Sequence, residues 1–294
     1  RPVGFFVRHR PSTGVDGIDY NAVLFHAFYA AKYQMSRSDA TAAAEGSSNI
    51  AVSKQGVIPW ASIHFDASAA ACSVSDTVAD LGVRMIRDDE WASLGIYSMI
   101  LGPDRFGTNR WGPFGNNSSL KDTDDTGITF TAAPTVSGRA LTGTGKKSGW
   151  KSGQDLTSHT GRSNGVSDLN GNIWEFTSGL KLKTGSSAGR GYLYVDEIST
   201  GIQMADTSSN VRVTALNTDP RVAKHTIASA VDGTGLAEFG NDYQSQGTAA
   251  SSEYVPIRGG DWNSSNNAGV FYLVLTNSRA NSNTNIGFRA AFEV

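Results

Sequence analysis

The tail of the chain, residues 257–292, most tightly limits what this sequence can fold into. From Val270 to Thr276 the residues alternate with a period of two, the repeat of a β-strand. Phe271, Leu273 and Leu275 form the side expected to face a core, while Tyr272, Val274 and Thr276 point the other way. Small polar residues flank the strand: Asn263, Ser264, Ser265 and Asn266 before it, Asn277, Ser278, Asn281, Asn283 and Asn285 after it. Trp262, Arg279 and Phe288 join the apolar side as residues that packing would fix. The expectation is a rigid strand that displays a row of side chains the core does not constrain.

The rest of the composition suits such a display surface better than a cytosolic enzyme. Charged residues make up 18% of the 294, below the usual quarter, and 33 glycines supply turns. A net charge of -2 gives no electrostatic footprint for nucleic acid or an anionic membrane. No apolar run approaches membrane-spanning length. The single cysteine, Cys72, cannot form an intrachain disulfide and reads as a small buried residue after three alanines. No leader is visible from Arg1, which leaves open whether a segment precedes it.

In chain order, Gly4–Val7 reads as a strand. Asp19 caps a helix expected from Tyr20 to about Met35, with Val23, Leu24, Ala27, Phe28 and Ala31 on one face. Residues 36–53 read as a loop. Asp66 opens an alanine-rich helix to about Asp80, stopped by Gly82, and Asp88 opens a third through Trp91, Leu94 and Ile100. Residues 102–165 read as a loop-rich insertion with one hairpin near Ile128–Phe130, there either to buttress the display surface or to meet a neighbouring subunit. Tyr192–Val195 and Val211–Val213 read as strands with a turn at 206–210, and 217–253 as mostly irregular. Helices early and strands late imply an α+β domain, with no boundary visible within 1–294.

Several motifs, taken in order, carry a family resemblance. Gly171-Asn172-Ile173-Trp174-Glu175-Phe176 resembles the "GN-hydrophobic-WEW" signature of the formylglycine-generating-enzyme branch of the C-type lectin fold. Arg258-Gly259-Gly260-Asp261-Trp262, Gly287-Phe288-Arg289, Lys32-Tyr33-Gln34, the helix entry at Ile63–Cys72 and Met85–Trp91 follow in that family's order. Within the branch the chain most resembles the variable proteins of diversity-generating retroelements, in which adenine-directed errors rewrite the 3′ end of the gene. Asn codons and their products Ser, Thr, Asp, Tyr and Val then mark the diversified positions. The resemblance implies an α+β C-type lectin fold with long irregular loops and a variable region at 257–294. Gly269, Phe271, Leu273, Leu275, Arg279, Gly287, Phe288 and Arg289 would be the fixed frame. The ligand-binding set would be Asp261, Asn263, Ser264, Ser265, Asn266, Tyr272, Val274, Thr276, Asn277, Ser278, Asn281, Asn283 and Asn285, with Tyr272 as an anchor.

An Asn/Ser-rich tail can also be plain turns, but here the Asn residues interleave with a regular apolar frame. Trp174 and Trp262 read as core anchors. Glu175, if buried, needs a partner, and Arg258 or Arg289 would serve. The resemblance also permits Glu175 to hold a calcium ion with the Asn172 and Ile173 carbonyls, though no cofactor is expected. Enzyme chemistries of the same branch lack their parts. Residues 262–289 hold no cysteine pair, and His9, His26, His64, His159 and His225 show no metal-ligand spacing. The expectation is a non-enzymatic protein, on a virion tail tip or a bacterial surface, whose partner is a macromolecule, protein rather than sugar, on another cell. A metal-dependent oxidoreductase and an invariant structural protein are the alternatives, and oligomeric state stays open.

Overall fold

A computed structural model describes residues 28–74, 81–101, 112–117, 127–184, 191–203, 211–232, 242–245 and 253–293. The expected strand at Gly4–Val7, the helix over 20–27 and the turn at 206–210 lie outside them.

The tail strand, Gly269–Ser278, is the longest among the described residues and lies within their main sheet. On one side it pairs antiparallel with Tyr254–Gly259, Ile257 opposite Val274 and Arg258 opposite Leu273. On the other it pairs in parallel with Tyr243–Ser245. The sheet extends outward from Tyr254–Gly259 through Leu180–Thr184 and Gly191–Val195 to Ile198–Gln203. In the other direction it runs from Tyr243–Ser245 through Val211–Leu216 to Ala228–Asp232. Trp174–Phe176 adds to the far half of Tyr254–Gly259 and in turn takes Ile286–Phe288 as a parallel partner. A three-stranded sheet joins Phe28–Ala30, Ala290–Glu293 and Arg84–Met85.

This architecture overturns the α+β expectation. The described residues hold seventeen strands against three α-helices: α1 (Phe65–Val74), α2 (Asp88–Leu101) and the single turn α3 (Pro220–Ala223). It matches a C-type lectin fold only loosely. Helices α1 and α2 begin where the sequence places them. His64 closes the first turn of α1, its Nδ1 accepting the Ala67 N–H at 3.3 Å. The helix expected to reach Met35 is absent from 28 onward, because Phe28–Ala30 finds a strand partner in Ala291–Glu293. Met35–Arg37 likewise pairs with Ala51–Ser53 inside the segment read as a loop. Apolar spacing alone does not separate a helical face from two short strands whose ends enter different cores. The segment 217–253, read as irregular, contains α3 and the strands Ala228–Asp232 and Tyr243–Ser245. The hairpin near Ile128 forms, with Ile128–Thr129 against Lys146–Lys147.

Both faces of the tail strand are covered. Phe271 packs with Trp91, Leu94 and Val270 beneath α2, and Leu273 and Leu275 join Leu182, Leu193 and Val222. The opposite face packs Tyr272 and Val274 with Trp174, Phe176, Trp60 and Phe288.

Two buried ion pairs pin the motifs together. Arg289 meets Glu175 in a two-pronged contact, Nε and Nη2 each 2.8 Å from a carboxylate oxygen, and Gln34 Nε2 donates to Glu175 at 3.0 Å. Arg258, although in register with Glu175 on the strand, sends its guanidinium to Asp88 at the start of α2, at 2.8 and 2.7 Å. Thr177 and His225 complete the shell of Asp88. Burial pushes the Asp88 carboxyl up, but Arg258 and His225 outweigh it and hold the group well below the usual range. Such planar, doubly bonded contacts are the strong kind of charge-assisted hydrogen bond.

Candidate functional site

The thirteen residues assigned to the tail surface divide by burial. Tyr272 is 4% exposed and Val274 8%. They do point away from Phe271, Leu273 and Leu275, as the alternation requires, but into a second core rather than toward solvent. The Tyr272 ring lies 4.5 Å from that of Trp174 and 6.4 Å from that of Tyr243. The expectation that Tyr272 and Val274 stand free of the core is therefore corrected: the sheet is packed on both sides here, and large apolar side chains fill both.

The other eleven form a polar band. It begins where Tyr254–Gly259 turns toward the tail strand. Asp261 is buried, and its carboxylate organises the turn. Oδ1 accepts from the Asn263 N–H at 3.0 Å and the Ser264 hydroxyl at 2.6 Å, and Oδ2 accepts from the Asn285 amide. Asp261 thereby joins the start of the tail strand to the start of Ile286–Phe288, two parallel strands whose first residues lie at the same end of the sheet. Ser265–Asn267 makes one 3-10 turn, leaving Asn263 and Asn266 exposed. At the other end of the strand Thr276 is exposed, and Asn281 donates from its side chain to Asn277. Asn283 donates to Asn281 at 3.3 Å, and the Asn283 carbonyl accepts the Ser62 N–H at 3.0 Å. Residues 277–285 thus run back along the molecule as a chain of amides bonded to one another. Short polar groups that satisfy each other locally hold such a segment in shape without a core.

Several supporting residues carried no mark in the sequence. Arg139 is buried, and its guanidinium bonds Thr135 at 2.7 Å, Glu45, and the Thr284 carbonyl at 3.4 Å. It therefore holds the returning segment from below. Trp262, half-buried, lies directly over Gly138. That glycine has φ +90°, and a Cβ there would come 2.3 Å from Trp262 Cδ1. Asn116 donates to the Gly138 carbonyl at 3.0 Å and to Asn172 Oδ1 at 3.1 Å. The described part of the 102–165 insertion thus touches the band through Asn116, Gly138 and Arg139. A lone Gly-Arg pair in a Gly/Ser-rich loop gives no periodicity to find.

The oxygens that the resemblance offers to a cation are engaged by protein donors. Both Glu175 oxygens go to Arg289, the Asn172 carbonyl accepts the Trp262 N–H at 3.1 Å, and the Ile173 carbonyl accepts Gln34 Nε2 at 2.9 Å. The three described histidines occupy separate settings. His64 closes the first turn of α1. His159 Nδ1 accepts the Val166 N–H at 2.9 Å, and burial pushes its pKa down to about 4. His225 Nδ1 lies 3.0 Å from Asp88. Among the described residues no three His, Cys, Asp or Glu side chains gather in a metal-binding group.

No family model and no curated protein matches the sequence. Among solved structures, the chain is similar to a Major Tropism Determinant I1 variant, at 14% identity and a TM-score of 0.37. The match covers 90% of this chain and 50% of that one, so the chain spans half the length of that structure. No helix among the described residues is long and apolar enough to cross a membrane.

Proposed function

We propose that this chain is a non-enzymatic binding protein that presents the polar band to a macromolecule on another cell, with the band's residues diversified by retroelement mutagenesis. The observation that carries the reading is the separation of roles within one continuous tail. Arg258, Phe271, Leu273, Leu275, Phe288 and Arg289 are buried in cores or ion pairs. Asn263, Asn266, Thr276 and Asn283 are exposed on a backbone that those residues fix. Exposed substitutions of this kind shift stability by only about ±0.5 kcal/mol, so the surface can change while the fold stays. Small amides and hydroxyls are adaptable polar contacts, and loops on a rigid scaffold are where recognition concentrates. Trp262, half-buried and next in sequence to exposed Asn263, takes the anchoring role expected of Tyr272. The partner is a surface protein of a host or neighbouring cell, and the protein works at a virion tail tip or on a bacterial surface.

The test is binding of labelled protein to intact cells from the source community. A quadruple variant, Asn263→Ala, Asn266→Ala, Thr276→Ala and Asn283→Ala, should keep the wild-type melting curve and lose cell binding. A variant that folds and binds as well as wild type would remove the display surface from the account.

A further inference from the structure

A second site lies at the far end of the sheet from Asp261. A cavity of ≈ 230 Å³ opens between the start of α1 and the hairpin of Leu180–Thr184 with Gly191–Val195. Its lining includes Phe65, Leu180, Lys181, Tyr194, Glu197 and Arg279. Each aromatic wall carries a cation on its face. The Arg279 guanidinium is 4.5 Å from the centre of the Phe65 ring, and the Lys183 ammonium is 5.1 Å from that of Tyr194. Between the walls sits Lys181, its side chain 9% exposed.

The charges around this cavity are not matched by buried partners. Lys181, Lys183 and Arg279 share one carboxylate that is largely enclosed, Glu253, at 3.4, 3.4 and 3.0 Å. The remaining anions come from outside. Asp66 pairs with Arg279 with 58% of its side chain exposed, and Glu197 pairs with Lys181 with 73% exposed. Glu197 stands on a two-residue turn, Asp196 and Glu197 having φ +48° and +68°. Asp196 itself is tied to Arg87 at 2.9 Å. An almost buried ammonium is thus neutralised by a carboxylate that solvent largely surrounds. Burial alone would lower the Lys181 pKa; Glu197 and Glu253 outweigh it, so the ammonium stays charged.

We propose that this cavity binds an organic carboxylate with an apolar or aromatic body, and that Glu197 occupies Lys181 as an intramolecular substitute which the ligand displaces. The carboxylate would take the charge-assisted bond to Lys181, and its body would lie between Phe65, Leu180 and Tyr194. The volume is below the roughly 300–1,000 Å³ of sites for whole drug-sized ligands, so the cavity accommodates one residue of a peptide. That residue is either an acidic side chain beside an apolar one or a C-terminal residue with its free carboxylate. Lys181, Tyr194 and Glu197 lie outside the tail, so this site stands or falls independently of the display surface.

The experiment titrates the intact chain with three peptides, followed by saturation-transfer NMR. The peptides are acetyl-Gly-Phe with a free carboxylate, acetyl-Glu-Phe amide, and acetyl-Gly-Phe amide as the uncharged control. The site predicts binding of at least one acid and none of the control, and which acid binds distinguishes a chain terminus from a side chain. Glu197→Ala, on an exposed turn that does not threaten the fold, should tighten the acid by roughly tenfold if Glu197 holds Lys181 about nine-tenths of the time. Lys181→Gln should abolish binding. Equal binding of acid and amide, binding of none of the three, or an affinity unchanged by Glu197→Ala would overturn the proposal.

Discussion

Replacing Tyr272 with alanine separates the packed strand described here from a freely displayed one. The ring is 4% exposed and contacts Trp174 at 4.5 Å between centroids. Truncating a buried aromatic to alanine costs about 3–5 kcal/mol, because transfer energy and a residual cavity add. For a chain of this size each kcal/mol moves the melting temperature by roughly 2–4 °C, so the loss should be roughly 6–20 °C. The control is Asn266→Ala on the exposed 3-10 turn, which should shift stability by less than about 0.5 kcal/mol. Urea unfolding followed by tryptophan fluorescence and by circular dichroism, with the slope compared between variants, gives both numbers. A Tyr272→Ala loss below about 1 kcal/mol would mean that the ring is not part of a core and that the strand has one covered face, not two.

Three further outcomes follow from the same contacts. Arg289→Met leaves Glu175 buried without its cation and should cost about 3–5 kcal/mol; adding Glu175→Gln should recover most of it in a double-mutant cycle, and additive losses would show that the two do not interact. Asp168 is buried, which together with nearby Asp155 and Glu175 raises its pKa from 3.8 to about 7, against the opposing pull of Arg289 and the Gly143 N–H. A raised carboxyl pKa stabilises the fold fully below the unfolded value, and that contribution is lost as pH climbs toward 7. Asp168→Asn should therefore gain on wild type by up to roughly 4 kcal/mol between pH 4 and 7, and a difference independent of pH in chemical denaturation would refute this. Gly138→Ala forces a side chain into a φ of +90° against Trp262, so it should cost about 1–3 kcal/mol and weaken cell binding; unchanged stability and binding would show that Trp262 is not seated on Gly138.

The sequence revealed the anchors more clearly than the layers. The starts of α1 and α2 carry acidic residues ahead of apolar runs, and both form. Glu175 asked for a basic partner, Arg258 or Arg289, and Arg289 supplies it while Arg258 pairs with Asp88. The tail alternation located the strand but not its surroundings. Tyr and Val are at home on either a solvated or a packed face, so the pattern Phe-Tyr-Leu-Val-Leu does not say whether the second face is covered. The strands Ile198–Gln203, Ala228–Asp232 and Tyr243–Ser245 are short and rich in Ser, Thr, Gly and Ala, and their neighbours in the sheet, not their own propensity, make them strands. The helix expected to reach Met35 is absent from 28 onward for the converse reason. Its apolar residues recur at helical spacing, yet Phe28 and Met35 enter two different cores. Arg139, which supports the band, and Lys181, which faces the cavity, were illegible because a single basic residue in a loop or strand carries no pattern.

One tail combines a fixed frame with a changeable surface. Sequencing the 3′ end of this gene, from the Arg258 codon onward, across a population of the source would show that division of roles. Variation should concentrate at Asn263, Asn266, Thr276, Asn277, Asn281 and Asn283, with Arg258, Phe271, Leu273, Leu275, Phe288 and Arg289 unchanged. A tail that is invariant across the population, or that varies evenly through frame and surface alike, would contradict it.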